Sequence, residues 1–236
     1  MKRTELLIGK SATRKLAKAR VLVFGLGGVG SYAVEGLARC GVGSFVLVDH
    51  DVVGATNLNR QLPALHSTLG RPKVDVMRER ILDINPKASV ETYPMFYRPE
   101  NADAIPFEKA DCIVDAIDTT RAKLDLVVKA HALGIPIISC MAMGNRLDPT
   151  QVKAGDLFDT EGCPLCRVMR KKLRTRHGIT HLHAVYSTET PVDVQHIYDK
   201  DEHTTAKRPT PGSIAFVPSV AGMVLASEVV KILTIK

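Results

Sequence analysis

The chain has 236 residues, 45% of them hydrophobic and 24% charged, and these proportions exclude collagen-like, coiled-coil and disordered chains. Lysine and arginine outnumber aspartate and glutamate by 32 to 25, and the formal net charge of +7 favours an anionic partner such as a nucleotide or a nucleic acid. No run approaches the roughly 18–20 continuous apolar residues of a membrane span, and the start lacks the apolar core of a signal peptide. We therefore expect a cytoplasmic protein without a membrane span, folded as one large domain.

Short apolar strands alternate with helices from residue 19 to about residue 140. The predicted strands are Arg20–Phe24, 45–48, Ser89–Tyr93, 112–114 and 135–139. The predicted helices are a stretch ending at Arg39, residues 71–82 and Thr120–Leu133. Continuous apolar strands that alternate with helices are typical of a parallel sheet covered on both faces. The sequence therefore predicts a Rossmann-like α/β fold with a mostly parallel sheet.

The pattern changes after residue 144. Residues 163–183 form a basic segment, residues 188–213 are polar and proline-rich, and residues 216–233 form an apolar helix interrupted by Glu228 and Lys231. The middle stretch is typical of a long crossover or mobile loop. We expect a single domain over residues 1–236, with a nucleotide-binding half at 1–144 and a substrate and crossover half at 145–236.

A glycine-rich turn follows the first predicted strand and opens a helix. It reads G-L-G-G-V-G and supplies Gly25, Gly27, Gly28 and Gly30. Glycines at this place allow a tight turn and let a phosphate approach the backbone at the start of a helix. Asp49 ends the next strand, where its carboxylate can accept hydrogen bonds from a ribose. The pattern predicts a nucleotide site, and by itself it does not decide between NAD and ATP.

Three charged residues after this turn favour ATP. Arg60 lies in T-N-L-N-R-Q, Lys73 in G-R-P-K, and Asp118 in D-A-I-D-T-T, directly after a predicted strand. Two cations can neutralise a triphosphate, and a carboxylate can hold Mg²⁺ beside the attacked phosphorus. A dehydrogenase has no general need for such a set.

With these motifs, the chain resembles the ThiF/MoeB/ubiquitin-activating-enzyme superfamily, which adenylates carboxylate-like groups, over nearly its whole length. The resemblance implies that the four glycines and Asp49 bind ATP, that Arg60 and Lys73 contact its phosphates, and that Asp118 holds Mg²⁺. It also implies a homodimer in which Arg3, from the opening R-T-E-L-L-I-G, reaches the partner's ATP. The nucleotide-binding set further includes Asp51 and Asn57, although the pattern favours a turn former at Asp51 and a helix-end or strand-end carboxylate at Asp115.

The cysteines narrow the choice within this superfamily. Relatives often hold zinc with two C-x-x-C pairs, whereas this chain has one such pair, Cys163 and Cys166, and no cysteine after it. Structural zinc needs four ligands, so we expect no structural zinc, although His177 and His181 follow at a spacing faintly like that of a zinc finger. Because no cysteine follows Cys166, a thioester cysteine in the later part of the chain is also disfavoured. Plain thiols, a metal site and a redox pair stay open for the C-x-x-C.

Other stretches resemble the tRNA threonylcarbamoyladenosine dehydratase branch. They include R-I-L-D-I-N-P, L-D-P-T-Q, C-P-L-C-R-V-M-R-K-K-L-R and V-Y-S-T-E, although M-A-M-G-N replaces the usual G-A-G-N-like loop. The resemblance implies ATP-dependent activation of the threonyl carboxylate of a modified adenosine beside the anticodon, followed by cyclisation. A basic cluster fits a tRNA partner through phosphate contacts. Its members are Arg167, Arg170, Lys171, Lys172, Arg174 and Arg176.

Two alternatives remain. The chain could adenylate the C-terminus of a ubiquitin-like sulfur-carrier protein with the same nucleotide residues, and such a protein or a sulfur-relay protein would then be its partner. It could also be an NAD(P)-dependent oxidoreductase or a nucleotide sensor, which would bind a dinucleotide and release no pyrophosphate.

Overall fold

The computed structural model describes residues 1–161, 163–193 and 211–234. Seven strands in this part of the chain form one sheet, in the order β3-β2-β1-β4-β5-β7-β6. They are β1 (Arg20–Phe24), β2 (Ser44–Val48), β3 (Ser89–Tyr93), β4 (Cys112–Asp115), β5 (Ile137–Cys140), β6 (Val152–Asp156) and β7 (His183–Ser187). The α-helices are α1 (Lys2–Lys18), α2 (Gly30–Cys40), α3 (Lys73–Ile84), α4 (Thr120–Leu133), α5 (Pro164–His177) and α6 (Phe216–Thr234).

The sheet is parallel except at one edge. Strands β3, β2, β1, β4, β5 and β7 are parallel, and β6 pairs antiparallel with β7. The Rossmann-like prediction is confirmed, with β1, β3 and α4 at their predicted bounds and the basic segment largely helical as α5. Strands β6 and β7 were not predicted, and they join the second half of the chain to the same sheet as the first. Most of the predicted crossover loop, residues 194–210, lies outside the described residues.

Alternate residues of β1 point to opposite faces of the sheet, as strand geometry requires. Val21 and Val23 belong to a core formed with α2, α3 and α6, whereas Leu22 and Phe24 belong to a core formed with α4. The two layers of helices leave the carboxyl ends of β1, β2 and β4 as the edge where ligands bind in open α/β sheets.

Helix α1 is bent at Gly9, whose φ of 84° and ψ of 163° are not helical. Before the bend, Leu6 and Leu7 are each 87% exposed. This helix is not predicted from the sequence. The bend separates a first segment with two exposed leucines from a second segment that packs through Leu16, which is fully buried.

By length and apolarity α6 could cross a membrane, and within the described residues it is the one helix that could. In this structure it packs along α2, and glycines make the approach close. A Cβ at Gly36 would lie 2.8 Å from Ala226 Cβ, and one at Gly222 would lie 2.3 Å from Val29 O. The charged positions Glu228 and Lys231 form an ion pair on α6, with 2.5 Å between Oε1 and Nζ.

Candidate nucleotide site

Two glycines of the turn between β1 and α2 are required by the packing of the turn itself. Gly25 has a φ of 87°, and a Cβ there would lie 2.7 Å from Ala116 O. A Cβ at Gly30 would lie 1.8 Å from Gly25 O. Both positions exclude a side chain whether or not a ligand is bound, because backbone atoms occupy the space.

The other two glycines face different surroundings. A Cβ at Gly28 would lie 3.2 Å from Pro218 Cβ of α6, whereas the nearest atom to a Cβ at Gly27 would be Gln61 Nε2, 3.8 Å away. A methyl group would therefore fit at Gly27, so the packing of the protein does not by itself require glycine there. Open space in front of a backbone turn at a helix start fits an approaching phosphate.

Asp49 is held against this turn at the end of β2. Its Oδ2 accepts a hydrogen bond from the Leu26 N–H at 2.5 Å, and its Oδ1 accepts one from the Asp51 N–H at 2.8 Å. The side chain is nearly buried, so its orientation is fixed by the backbone on both sides. The arrangement joins the predicted ribose carboxylate to the predicted phosphate turn.

Lys73 begins α3 and points to Asp51. Its Nζ lies 2.6 Å from Asp51 Oδ2, and His50 Nε2 lies 3.1 Å from Asp51 Oδ1. Lys73 is 3% exposed, so Asp51 neutralises a nearly buried ammonium. One carboxylate or imidazole atom from each of Asp49, His50 and Asp51 lies within 4.8 Å of the other two. No other group of three possible metal ligands is this close together in the described residues. The Lys73 ammonium beside Asp51 disfavours a metal cation at this place.

The loop after β2 holds Asn57 and Arg60 by short-range bonds. Asn57 Oδ1 accepts from the Gly54 N–H at 3.1 Å, and Arg60 Nη1 donates to Thr56 O at 2.8 Å and to Asn59 Oδ1 at 2.9 Å. Both residues shape the loop through these bonds. Their predicted contacts with ATP stay predictions.

Gln61 is a further candidate site residue, and it is not predicted from the sequence. It is buried beside Gly27, and its Oε1 has no hydrogen-bond partner among the residues that the structure describes. A buried oxygen without a partner is costly, so a hydroxyl or amino group of a ligand at this turn would be stabilised there. No sequence signal marks this residue, because its closeness to the turn arises only in the fold.

Asp118 lies just beyond β4 and is exposed, and Thr119 Oγ1 donates to its Oδ1 at 3.2 Å. Its carboxylate is therefore free to face a bound nucleotide at this edge. A buried cluster lies behind it. Lys123 Nζ lies 3.1 Å from each oxygen of Asp115 and 2.6 Å from Cys140 O, and Ser139 Oγ donates to Asp115 at 2.7 Å.

The contacts of Asp115 in this cluster indicate a structural role. Its Oδ1 also accepts from the Ile117 N–H at 3.2 Å, so the carboxylate orients the turn that leads to Asp118. Both members of the ion pair are buried, with side chains 0% and 2% exposed for Asp115 and Lys123. Such a pair is stable only because every polar atom finds a partner.

The predicted tRNA cations divide into groups on α5. Arg167, Lys171 and Arg174 line a cleft of about 420 Å³ with Phe158, and the Arg174 guanidinium lies 5.2 Å from the Phe158 ring centroid. Lys172 and Arg176 follow a different line on the helix. Arg170 also lines the cleft, but its Nη1 donates inward to Leu157 O and Thr160 O at 3.2 and 2.6 Å. These bonds leave less of its guanidinium available for the predicted contact with tRNA phosphates.

The remaining predicted residues are separate from this edge. Cys163 and Cys166 are buried with Met169 and Leu173, while His177 is exposed at the end of α5 and His181 Nδ1 lies 2.5 Å from Asp156 Oδ2. Arg3 is exposed on the first segment of α1. Within the described part of the chain it is not brought to the nucleotide residues by any recorded contact.

Comparisons with known proteins find relatives that match nearly the whole chain. Over 97% of this chain and 92% of the relative, the chain is 42% identical to the tRNA threonylcarbamoyladenosine dehydratase of Bacillus subtilis (strain 168). It is similar, at 33% identity and a TM-score of 0.88, to the crystal structure of the Escherichia coli tRNA N6-threonylcarbamoyladenosine dehydratase in complex with ATP, covering 98% of this chain and 92% of that one. The complex of the same enzyme with AMP gives 33% identity and a TM-score of 0.86, covering 99% and 93%.

The family assignment rests on the full length of the sequence. The ThiF family model matches residues 1–236, so both the glycine turn and the added strands β6 and β7 fall within the matched region. The sheet order and the ligand edge described above are those of an α/β fold of ThiF type. The chain belongs to the ThiF family.

Proposed function

We propose that this protein is an ATP-dependent tRNA threonylcarbamoyladenosine dehydratase. The observation that supports this most directly is the open turn at Gly27, bonded to Asp49, in a chain that aligns over nearly its whole length with dehydratases of that name. A tRNA substrate and a cytoplasmic location belong to the same proposal.

The reaction has two steps. The threonyl carboxylate of the modified adenosine attacks the α-phosphorus of ATP, and pyrophosphate leaves. A ureido nitrogen or oxygen of the same side chain then attacks the activated carbonyl, so that a ring forms and AMP is released. Because nucleophile and electrophile are on one molecule, proximity replaces a protein nucleophile.

The proposal gives each protein group one role. The turn with Gly27 receives phosphates, Asp49 holds the ribose, and Lys73 exchanges Asp51 for phosphate oxygens when ATP binds, with Arg60 as the second cation. Asp118 would hold Mg²⁺, which would neutralise phosphate charge when bound. The exposed Asp118 carboxylate suits such a hard cation, because carboxylate oxygens are its usual ligands.

A homodimer completes the site in this proposal. Leu6 and Leu7, each 87% exposed, lie on the same short segment of α1 as Arg3. A second copy that covers these leucines would bury apolar surface and could bring Arg3 to the partner's ATP.

The test of the function is direct. Purified protein is incubated with ATP, Mg²⁺ and tRNA bearing linear threonylcarbamoyladenosine, and the nucleosides are analysed by mass. We expect a nucleoside lighter by one water, with AMP and pyrophosphate formed in equal amounts. Pyrophosphate exchange that requires a small carrier protein and ignores tRNA would favour the sulfur-carrier alternative and reject the dehydratase.

The phosphate turn has its own test with a matched control. Gly27→Ala should fold normally, since a Cβ there would have its nearest neighbour at 3.8 Å, but it should weaken ATP binding by about tenfold or more by filling the phosphate space. Gly155→Ala adds the same methyl group on β6, where the nearest atom would be 3.9 Å away, and should leave ATP binding unchanged. Equal affinities in both variants would contradict the placement of phosphate at Gly27.

The tRNA surface is tested by salt dependence. Replacing Arg167, Lys171 and Arg174 with Gln should weaken tRNA binding and reduce its salt slope by about one unit per lost phosphate contact. The control triple has the same charge change at exposed cations elsewhere. It consists of Arg78→Gln, Lys87→Gln and Lys109→Gln. Parallel salt plots for the two triples would remove this cleft from the tRNA interface.

A further inference from the structure

Cys163 and Cys166 lie at the first turn of α5, a helix of 14 residues in which Cys163 is the N-terminal cap and Pro164 begins the helix. A spacing of three residues puts the two side chains on one face of the helix. Both belong to the same buried cluster, with Cys163 3% and Cys166 0% exposed. All five cysteines of the chain are unbridged in this structure, so the pair is present as a dithiol.

A buried cation lies beside this dithiol. Arg146 is 3% exposed, and although its Nη1 donates to Gly144 O at 3.0 Å, its Nε and Nη2 have no partner among the described residues. The positive charge acts on Cys163 and on Cys140. A buried guanidinium with two unpartnered nitrogens stabilises a nearby anion and disfavours a bound cation, so the site suits a thiolate better than a metal.

The surroundings separate Cys163 from the other thiols. The hydrogen bond from the Cys166 thiol lowers the pKa of Cys163 well below its usual range despite burial, and the Arg146 charge acts in the same direction. The same hydrogen bond, together with burial, raises the pKa of Cys166. Burial raises the pKa of Cys140 and of Cys112 to about 12 and also raises that of Cys40.

We propose that Cys163 and Cys166 are a peroxide-sensitive pair that closes reversibly to a disulfide at the first turn of α5. Hydrogen peroxide is small enough to reach Cys163, which is slightly exposed, whereas Cys166 is fully buried. The Cys163 thiolate attacks one peroxide oxygen, the O–O bond breaks, and the hydroxide that leaves takes a proton to become water. Cys166 then attacks the sulfenic sulfur, and its proton leaves with the hydroxyl group as a second water.

The net change is balanced: two thiols and one hydrogen peroxide give one disulfide and two waters, with both sulfurs oxidised and both peroxide oxygens reduced. A small dithiol such as dithiothreitol reverses it by thiol–disulfide exchange. The readout is chemical and concerns no step of tRNA modification, so it stands or fails separately from the proposed function.

The experiment uses the full chain treated with hydrogen peroxide, blocked with iodoacetamide and digested with trypsin. Cleavage after Lys153 and Arg167 places both cysteines in one peptide, residues 154–167. We expect this peptide to become lighter by two hydrogen atoms and resistant to alkylation, and to recover with dithiothreitol. A cross-link to peptide 130–146, which contains Cys140, or continued alkylation of both cysteines while Cys40 is oxidised, would overturn the proposal.

Variants give a second measurement. When the pH is lowered from 8 to 6, the rate at which peroxide oxidises the Cys163 thiol should fall by less than about twofold, because its lowered pKa keeps it a thiolate. The rate for the more exposed Cys40 should fall by about a hundredfold, because the thiolate fraction of Cys40 falls about tenfold per pH unit. Arg146→Met should make the Cys163 rate fall more steeply over this range than in the wild type, and Arg146→Lys should restore the wild-type profile. Cys166→Ser should stop at the sulfenic acid. A Cys163 profile as steep as that of Cys40 would refute the assignment.

Discussion

The buried pair of Lys123 and Asp115 gives a prediction that can be worked out from its contacts. Lys123→Met keeps the length of the side chain but leaves the Asp115 carboxylate buried without a cation. Removing one partner of a buried ion pair costs about 3–5 kcal/mol. Since Ser139 Oγ at 2.7 Å and the Ile117 N–H at 3.2 Å still bond to the carboxylate, we expect the lower end, about 3 kcal/mol.

The double variant Lys123→Met/Asp115→Asn removes the uncompensated charge. We expect it to lose only about 1–2 kcal/mol, because an amide can still accept from Ser139 while Cys140 O loses its ammonium donor. The measurement is the free energy of unfolding in urea for the wild type, both single variants and the double. If Lys123→Met loses less than about 1 kcal/mol, or if the double loses the sum of the two singles, the pair is not coupled as described.

The remaining predictions concern the metal, the dimer and acid stability. Asp118→Asn should fold normally and bind ATP with similar affinity but lose nearly all turnover, and near-normal turnover would remove Asp118 from the mechanism. Arg3→Ala and Lys73→Ala should each be nearly inactive, and an equal mixture should regain about a quarter of wild-type activity after subunit exchange, since half the dimers are then mixed and hold one intact site of two. No recovery despite demonstrated exchange would reject a shared site. Burial alone would raise the pKa of Glu35, but hydrogen bonds from Arg80 and Arg39 outweigh it and hold that pKa below the ordinary 4.5. The ionised form therefore contributes stability above about pH 4.5 that is lost as pH falls through the lower folded pKa, so the wild type should exceed Glu35→Gln in unfolding free energy at pH 7 and the difference should shrink in acid.

Sequence alone predicted the features that are encoded by neighbouring residues. The turn with Gly25 and Gly30 follows an apolar strand and opens a helix, so its place in the fold can be inferred without knowledge of distant contacts. Helix α4 begins after Asp118 and ends before Gly134, whose φ of 66° suits glycine, and both bounds were therefore predicted.

Other features depend on contacts between distant segments. Strand β6 reads V-K-A-G-D, which has weak strand propensity, and it is stabilised by its antiparallel pairing with β7. The place of Lys123 depends on Asp115 of β4 and Cys140 of β5, so the helix sequence around this lysine gives no sign that it is buried. Arg146 likewise follows a turn and has no local signal for burial. Residues of this kind become visible only when the sheet order brings the strand ends together.

The close packing of α6 has a consequence for the order in which the protein is made. Pro218 and Gly222 of α6 lie against Gly28 and Val29 at the phosphate turn, although they are synthesised long after it. A chain that has completed only β1 and α2 lacks these contacts behind the glycine turn. We therefore expect nucleotide affinity to depend on the docking of α6, so that a chain truncated before α6 should bind ATP more weakly than the full chain.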